Sequence, residues 1–263
     1  MSGSIMPKTK IKSSFKKQLG IIRSFFIYYL KPFNGIRLTK FYGQFIKKGD
    51  LCFDIGAHLG NRTHTWLKMG ATVVAVEPQP ACIEFLKKKF GNHPNCKLVT
   101  KAVGEKVGQA KFRISSLYPT ISTISTEWQF SKSKKADTLQ YWDDQIDIQT
   151  ITLDTLIHEF GSPDFCKIDV EDFELEVLNG LGYPIPALSF EFFPAKIDKA
   201  ILCLEKLDKL GKYEYNLSFK EYLKLEFSKW LNPGEMAEIL KNHSREISGD
   251  VYARLTTGVS SQY

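Results

Sequence analysis

Apolar positions along the chain fall into short blocks separated by glycine, proline and charge. Leu51-Cys52-Phe53-Asp54-Ile55 and Ala71-Thr72-Val73-Val74-Ala75-Val76 are nearly continuous apolar runs, the pattern of strands covered on both faces. Between them Arg62 to Met69 reads as a helix closed by Gly70. Pro80 suits a helix start, Ala81 to Phe90 reads as that helix with Gly91 behind it, and Lys97 to Thr100 is a third strand. Strand, helix, strand, helix, strand in this rhythm predicts parallel right-handed crossovers and a doubly wound α/β sheet.

Residues 102–114 alternate around a Gly-bearing turn and predict a hairpin. Residues 115–145, rich in Ser, Thr, Lys and Asp, predict a long excursion or lid, a usual place for substrate contacts. The core pattern then resumes. A strand is expected over Ile148–Leu153, a helix capped by Asp154 and ending at Phe160, a strand over Asp164–Val170 and a helix over Glu171–Leu178. After them come a strand over Ala187–Phe192 and an amphipathic helix over Lys196–Leu210, with Ile197, Ile201, Leu204 and Leu207 inward. Residues 213–219 read as strand, 222–227 as strand and loop, 233–241 as helix and 250–255 as a last strand. No internal repeat is visible. The division expected is an N-terminal arm over residues 1–48, with helical segments broken at Pro32 and Gly35, and one α/β domain over 49–263.

Composition adds a core and a charge asymmetry. Of the 263 residues 43% are apolar and 25% charged, which excludes a disordered chain. The first 49 residues hold eleven Lys/Arg and no acid, whereas the rest hold 25 Lys/Arg against 29 Asp/Glu. Such an arm is a solvated tail, or it contacts phosphates, anionic lipid or an acidic polymer. Five cysteines without a CxxC pair predict reduced thiols in a cytoplasmic protein, with no zinc. Ser24 to Leu30 is too short to span a bilayer, and Lys31-Pro32-Phe33 is unlike a signal cleavage site. The arm could still lie on a membrane surface as an amphipathic helix.

Ligands of open α/β sheets sit beyond the carboxyl ends of the strands. Those ends carry Asp54 and Gly56, Glu77 and Pro78, Lys101 and Ala102, Asp169, and Glu191. Glu77 follows Gly56 by 21 positions, where a carboxylate can accept both ribose hydroxyls of an adenosine ligand. A dinucleotide wants G-x-G-x-x-G, but His58 stands where the second glycine would be. S-adenosylmethionine, which has no phosphates, fits better. The turn Gly56-Ala57-His58-Leu59-Gly60 would hold its amino-acid portion.

Lys167, Asp169 and Glu171 have period-2 spacing and share one side while the strand continues. A lysine inside a buried strand is costly unless paired or used. Asp169 or Glu171 could act as a base, with Lys167 stabilising an alkoxide, or the set could only brace the pocket. Asp169 and Glu191 could instead hold a divalent cation. Glu191, Ser122 and Thr123 are candidates for substrate contacts, and Trp128, Tyr141 and Trp142 suit stacking on a sugar ring. His58 lies in the pocket by position, His64 lies along the first helix, and His93, His158 and His243 look like loop or surface residues.

Asp54-Ile55-Gly56-Ala57-x-x-Gly60, Val76-Glu77-Pro78, Ala102-Val103-Gly104, Thr152-Leu153-Asp154-Thr155-Leu156, Lys167-Ile168-Asp169-Val170-Glu171, Glu174-x-Glu176-Val177-Leu178-x-Gly180 and Ser189-Phe190-Glu191 occur in this order. Together they resemble the FkbM family of S-adenosylmethionine-dependent methyltransferases over about residues 50–195. The resemblance implies a class I methyltransferase fold, a mostly parallel seven-stranded sheet with an antiparallel C-terminal strand. It also implies O-methylation of a sugar or natural-product hydroxyl, with a small molecule or glycan as acceptor and no specific nucleic acid. His58 replaces a usual Asn, and Asp172-Phe173 stands where Gly-Ala or similar is common. Two rivals remain at this point. One is a nicotinamide oxidoreductase, the other a non-catalytic protein whose basic arm grips nucleic acid or an acidic glycan.

Overall fold

The computed structural model describes residues 19–26, 33–125, 142–243 and 247–256. Trp128 and Tyr141 lie outside the described residues. The chain order is α1 (residues 19–26), α2 (Asn34–Tyr42), β1 (Leu51–Ile55), α3 (Asn61–Lys68), β2 (Thr72–Val76), α4 (Pro80–Phe90), β3 (Cys96–Val99), β4 (Ala102–Val103), β5 (Gly108–Ile114) and β6 (Asp144–Ile151). It continues with α5 (Leu153–Phe160), β7 (Phe165–Ile168), α6 (Glu174–Asn179), β8 (Ala187–Phe192), α7 (Ile197–Leu210), β9 (Tyr213–Phe219), α8 (Pro233–Asn242) and β10 (Gly249–Leu255).

Seven strands form one sheet in the order β3-β2-β1-β7-β8-β10-β9. All neighbours pair in parallel except β10, which runs antiparallel to both β8 and β9. This is the doubly wound, mostly parallel seven-stranded arrangement expected. The order reverses between β1 and β7, and that switch point opens the crevice in which ligands of such sheets bind.

The two faces bury different layers. On one, Phe53, Ile55, Val74, Cys166 and Ile168 pack beneath Leu156 of α5, Val177 of α6, Leu204 of α7 and Met236 of α8. On the other, Cys52, Val73, Ala75 and Phe165 pack beneath Phe41 of α2, Trp66 of α3 and Leu86 of α4. Phe165 is the hub of this second layer. Its ring lies 5.8 Å from Tyr42, 5.3 Å from Phe45 and 5.6 Å from Trp66. The five cysteines are all buried free thiols.

Several expectations are corrected, among them the break expected at Gly35, which lies inside α2. Residues 102–114 do not form a hairpin, because β6 inserts between β4 and β5 to make a separate three-stranded sheet. Thr152, not Asp154, caps α5, accepting from the Thr155 N–H, while Asp154 accepts from the Gly182 N–H instead. On α7, Leu204 and Leu207 are buried as expected and Ile197 packs half-buried against the core, but Ala200 and Cys203, not Ile201, complete the buried face. Residues 222–227 contain no strand.

Phe165→Ala should cost about 3–5 kcal/mol, the loss typical of a fully buried phenylalanine. Urea denaturation would measure it, and Phe165→Leu should cost markedly less because most of the ring's volume is refilled.

Candidate active site

The cleft opens at the switch point, with about 890 Å³ between its walls when the open mouth is included. Its lining includes Asp54 to His58, Asn61, Arg62, Glu77 to Gln79, Lys101 to Val103, Phe112, Ser122, Asp169 to Glu171, Phe173 and Glu221.

The first strand turn builds one wall. The Gly56 and Ala57 N–H groups donate to the Val76 carbonyl at 2.9 and 3.0 Å, which holds the turn against β2. Gly56 has φ +82°, and a Cβ there would lie 1.8 Å from the Asp169 carbonyl oxygen. No other residue lets β1 and β7 diverge at so short a distance. The Asp54 carboxylate accepts from both the N–H and the hydroxyl of Thr63, tying the strand to α3. His58 also takes a left-handed conformation, φ 50°, and burial pushes its imidazole down to about 4, so it is neutral at neutral pH. Gly60 stands off the cleft lining, facing Phe90 and Leu86 of α4.

Glu77 is held by the turn it faces. One carboxylate oxygen accepts from the His58 N–H and the other from the Gln79 N–H, both at 2.8 Å. Burial raises its carboxyl to about 7 against the pull of these two bonds. Two accepted bonds leave further lone pairs on the carboxylate for hydroxyl donors. Val103, Phe112 and Ile124 supply an apolar wall, with Lys101 and Ala102 beside them.

Asp169 sits just past the end of β7, its N–H bonded to the Ile55 carbonyl. Lys167 is buried beneath it and does not line the cleft. Its ammonium lies 3.2 Å from Asp169 Oδ2 and 3.0 Å from Asp250 Oδ1. Burial alone would raise the Asp169 carboxyl, but Lys167 and Arg62 outweigh it and hold the carboxyl below its usual range. Glu191, from the adjacent strand, brings a carboxylate oxygen within 4.8 Å of Asp169 from outside the cleft lining. Burial and then the Asp169 charge push the Glu191 carboxyl well up.

The period-2 set does not extend as a strand to Glu171. β7 ends at Ile168, and Glu171 and Asp172 both take left-handed angles, φ 58° and 71°. A turn, not a pleat, brings Glu171 to the cleft. The excursion braces that turn: the Thr123 hydroxyl donates to the Glu171 carbonyl at 2.7 Å and the Ser125 hydroxyl to Asp172 at 2.9 Å. Ser122 lines the cleft, whereas Thr123 acts through this bond and is not in the lining. The Trp142 indole N–H donates to the Ile121 carbonyl.

Asp169, Glu171 and Glu191 each bring a carboxylate oxygen within 4.8 Å of the other two, the one set among the described residues with the spacing of cation ligands. The Lys167 ammonium, 3.2 Å from Asp169, already offsets part of that charge.

Several lining groups carried no local signal. Arg62 donates to Glu221 at 2.8 Å and to the Tyr42 hydroxyl at 3.3 Å. Its charge holds the Glu221 carboxyl below the ordinary value. Glu221 lies 159 positions away, in a loop with no recognisable motif. Asn61, Gln79 and Phe173 were adjacent to quoted motifs, and their proximity was the available clue.

A comparison with curated protein sequences gave no match. Solved structures matched at low similarity include magnesium protoporphyrin IX methyltransferase from Synechocystis PCC 6803 with bound SAM. That match has 11% identity, 97% of this chain and 100% of that one covered, and TM-score 0.47. A TehB-like SAM-dependent methyltransferase from Corynebacterium glutamicum matches at 13% identity, 93% and 99% coverage and TM-score 0.46. Precorrin-6y C5,15-methyltransferase from Geobacter metallireducens matches at 11% identity, 86% and 91% coverage and TM-score 0.44. Residues 54–217, more than half of the chain, match the family described as Methyltransferase FkbM domain. The span begins at Asp54 in the cleft lining and runs through Glu77, Asp169 and Glu191, and the chain belongs to the FkbM methyltransferase family.

Proposed function

We propose that the protein is an S-adenosylmethionine-dependent O-methyltransferase that acts on a hydroxyl of a carbohydrate or a related polyol or natural product. The observation that carries this reading is a carboxylate, Asp169, kept ionised at the cleft floor beside the glycine turn by a buried ammonium.

Residues on either side of the switch point divide the work. Glu77 suits the ribose hydroxyls, the Gly56–His58 turn suits an amino-acid portion that needs close approach to the main chain, and the wall of Val103, Phe112 and Ile124 suits a flat base. When bound, the cofactor supplies an electrophilic methyl group. Asp169 accepts a hydrogen bond from the acceptor hydroxyl and so aims its oxygen. As the oxygen gains the methyl, it turns strongly acidic and its proton passes to Asp169. A carboxylate of low pKa is therefore base enough, and Lys167 need never leave its buried seat. Glu171 and Ser122, both in the cleft lining, suit contacts with the acceptor's other hydroxyls.

Asp169→Asn should lower kcat about 10²- to 10⁴-fold, the usual worth of a positioned base. Calorimetry should find S-adenosylmethionine binding little changed. A labelled-methyl transfer assay over sugars, nucleotide sugars and glycans identifies the acceptor. A thermal shift produced by NAD and not by S-adenosylmethionine would overturn the reading.

Glu77 titrates near 7, and the carboxylate is the form that accepts hydroxyl donors. Cofactor affinity should therefore fall as pH drops from 8 to 6. In Glu77→Gln the affinity should be weaker and flat over that range, as calorimetry at several pH values would show.

Because the buried Lys167 ammonium already offsets part of the acid cluster's charge, EDTA should leave turnover unchanged. Loss of activity restored by Mg²⁺ would move Asp169 from base to metal ligand.

A further inference from the structure

The helix at the cleft's entrance is inside out. In α1, Gly20 and Ser24 are buried, while Leu19, Ile22 and Phe26 are 47%, 52% and 57% exposed. Positions 19, 22 and 26 share one helical face. A Cβ on Gly20 would lie 2.1 Å from the Ser116 carbonyl and 3.2 Å from Pro119, so the helix backbone rests directly on that segment. Pro119 itself lines the cleft. The Phe25 ring meets Phe85 of α4 at 6.2 Å, and the Arg23 guanidinium lies 4.4 Å from the Tyr118 ring centroid. Phe33 and Ile36 extend the exposure at 75% and 68%. Five of the nine exposed large apolar side chains among the described residues thus come from residues 19–36.

Charge is segregated between the helical layers. Helices α1 to α4 carry Arg23, Arg37, Lys40, Lys68 and Lys87 to Lys89 besides the buried Arg62, which is paired with Glu221 in the cleft, and Glu84 is their single acid. Helices α5 to α8, on the opposite face, carry nine Asp/Glu and four Lys. One side of the sheet is therefore basic and fronted by apolar side chains, and the other is acidic. Residues 1–18 add five Lys and no acid.

We propose that the α1–α4 face docks on an anionic lipid bilayer, with Leu19, Ile22 and Phe26 entering the headgroup–acyl boundary and the surrounding Lys/Arg meeting the headgroups. Among the described residues no helix is long and apolar enough to cross a membrane, and this mode of binding needs none. It requires a short apolar row beside a basic one. A nucleic acid would answer the charge but offers little surface on which to bury isoleucine and phenylalanine side chains. A bilayer takes both. Docked this way, the rim at Pro119 lies beside the surface, so the cleft opens near lipid. The proposal stands independently of the methyl-transfer reading, because its test reads only lipid binding.

The test is flotation of the full chain with phosphatidylcholine vesicles, with and without phosphatidylglycerol. The wild type should float with the anionic vesicles and, in raised salt, only weakly. Ile22→Asp/Phe26→Asp should lower the bound fraction about tenfold or more, and Lys87→Glu/Lys88→Glu should weaken binding chiefly at low salt. These side chains are exposed, so thermal unfolding should match the wild type in both variants. Failure of the wild type to float, or flotation of the Asp variant at the wild-type level, would overturn the proposal. So would a wild-type dimer that Ile22→Asp/Phe26→Asp makes monomeric without any vesicle binding. Binding to tRNA that the Asp variant retains, with none to vesicles, would overturn it in favour of a nucleic-acid surface.

Discussion

A single ammonium at the centre of the sheet sets the terms for everything above it. Lys167 is 1% exposed on β7, in register between Asp54 of β1 and Ser189 of β8. Burying such a charge is tolerated only with partners at close range. Asp169 comes from the end of the same strand. Asp250 comes from the antiparallel strand β10, and pairing of β10 with β8 and β9 brings it there. The last strand of the chain is therefore part of the site, although none of its residues lines the cleft. An ion cluster of this kind adds little net stability, but it admits few alternative arrangements. The position and ionisation of Asp169 follow from it.

Above the ammonium, the cleft is a meeting of main-chain turns. Gly56 lets β1 leave the sheet within contact of the Asp169 carbonyl. The His58 and Gln79 N–H groups hold Glu77. Thr123 and Ser125 reach from the excursion to fasten the left-handed pair Glu171–Asp172. Two of these contacts fix carboxylates directly, those of Glu77 and Asp172, and the others hold the backbone that carries Asp169 and Glu171. The acids are then positioned before any ligand arrives, which is what an in-line displacement needs.

What could be read in the chain beforehand was what is local. Apolar runs with a polar terminus located β1, β2, β7 and β8 and placed Asp54, Glu77, Asp169 and Glu191 at their ends, because burial on both faces leaves a local signature. Whatever depended on distant pairing was hidden. The alternation over 102–114 suggested two strands joined to each other, and β6, some forty positions on, took the place between them. The spacing of Lys167, Asp169 and Glu171 suggested one continuous pleat, and two residues with positive φ ended it. Lys167 looked like a group for the acceptor, and only Asp250 explains why it lies below the cleft. The pairing of Arg62 with Glu221 had no nearby trace at all.

The five thiols have a further use. Every cysteine of the chain is buried, and burial pushes each thiol above its ordinary range, Cys96 to about 11. Thiolate is the reactive form, so the folded molecule is nearly silent to alkylating reagents and the open chain is not. Native labelling kinetics then serve as an internal clock for opening of the core. A cysteine introduced at any exposed position would be the single fast-reacting handle on an otherwise unmodified protein.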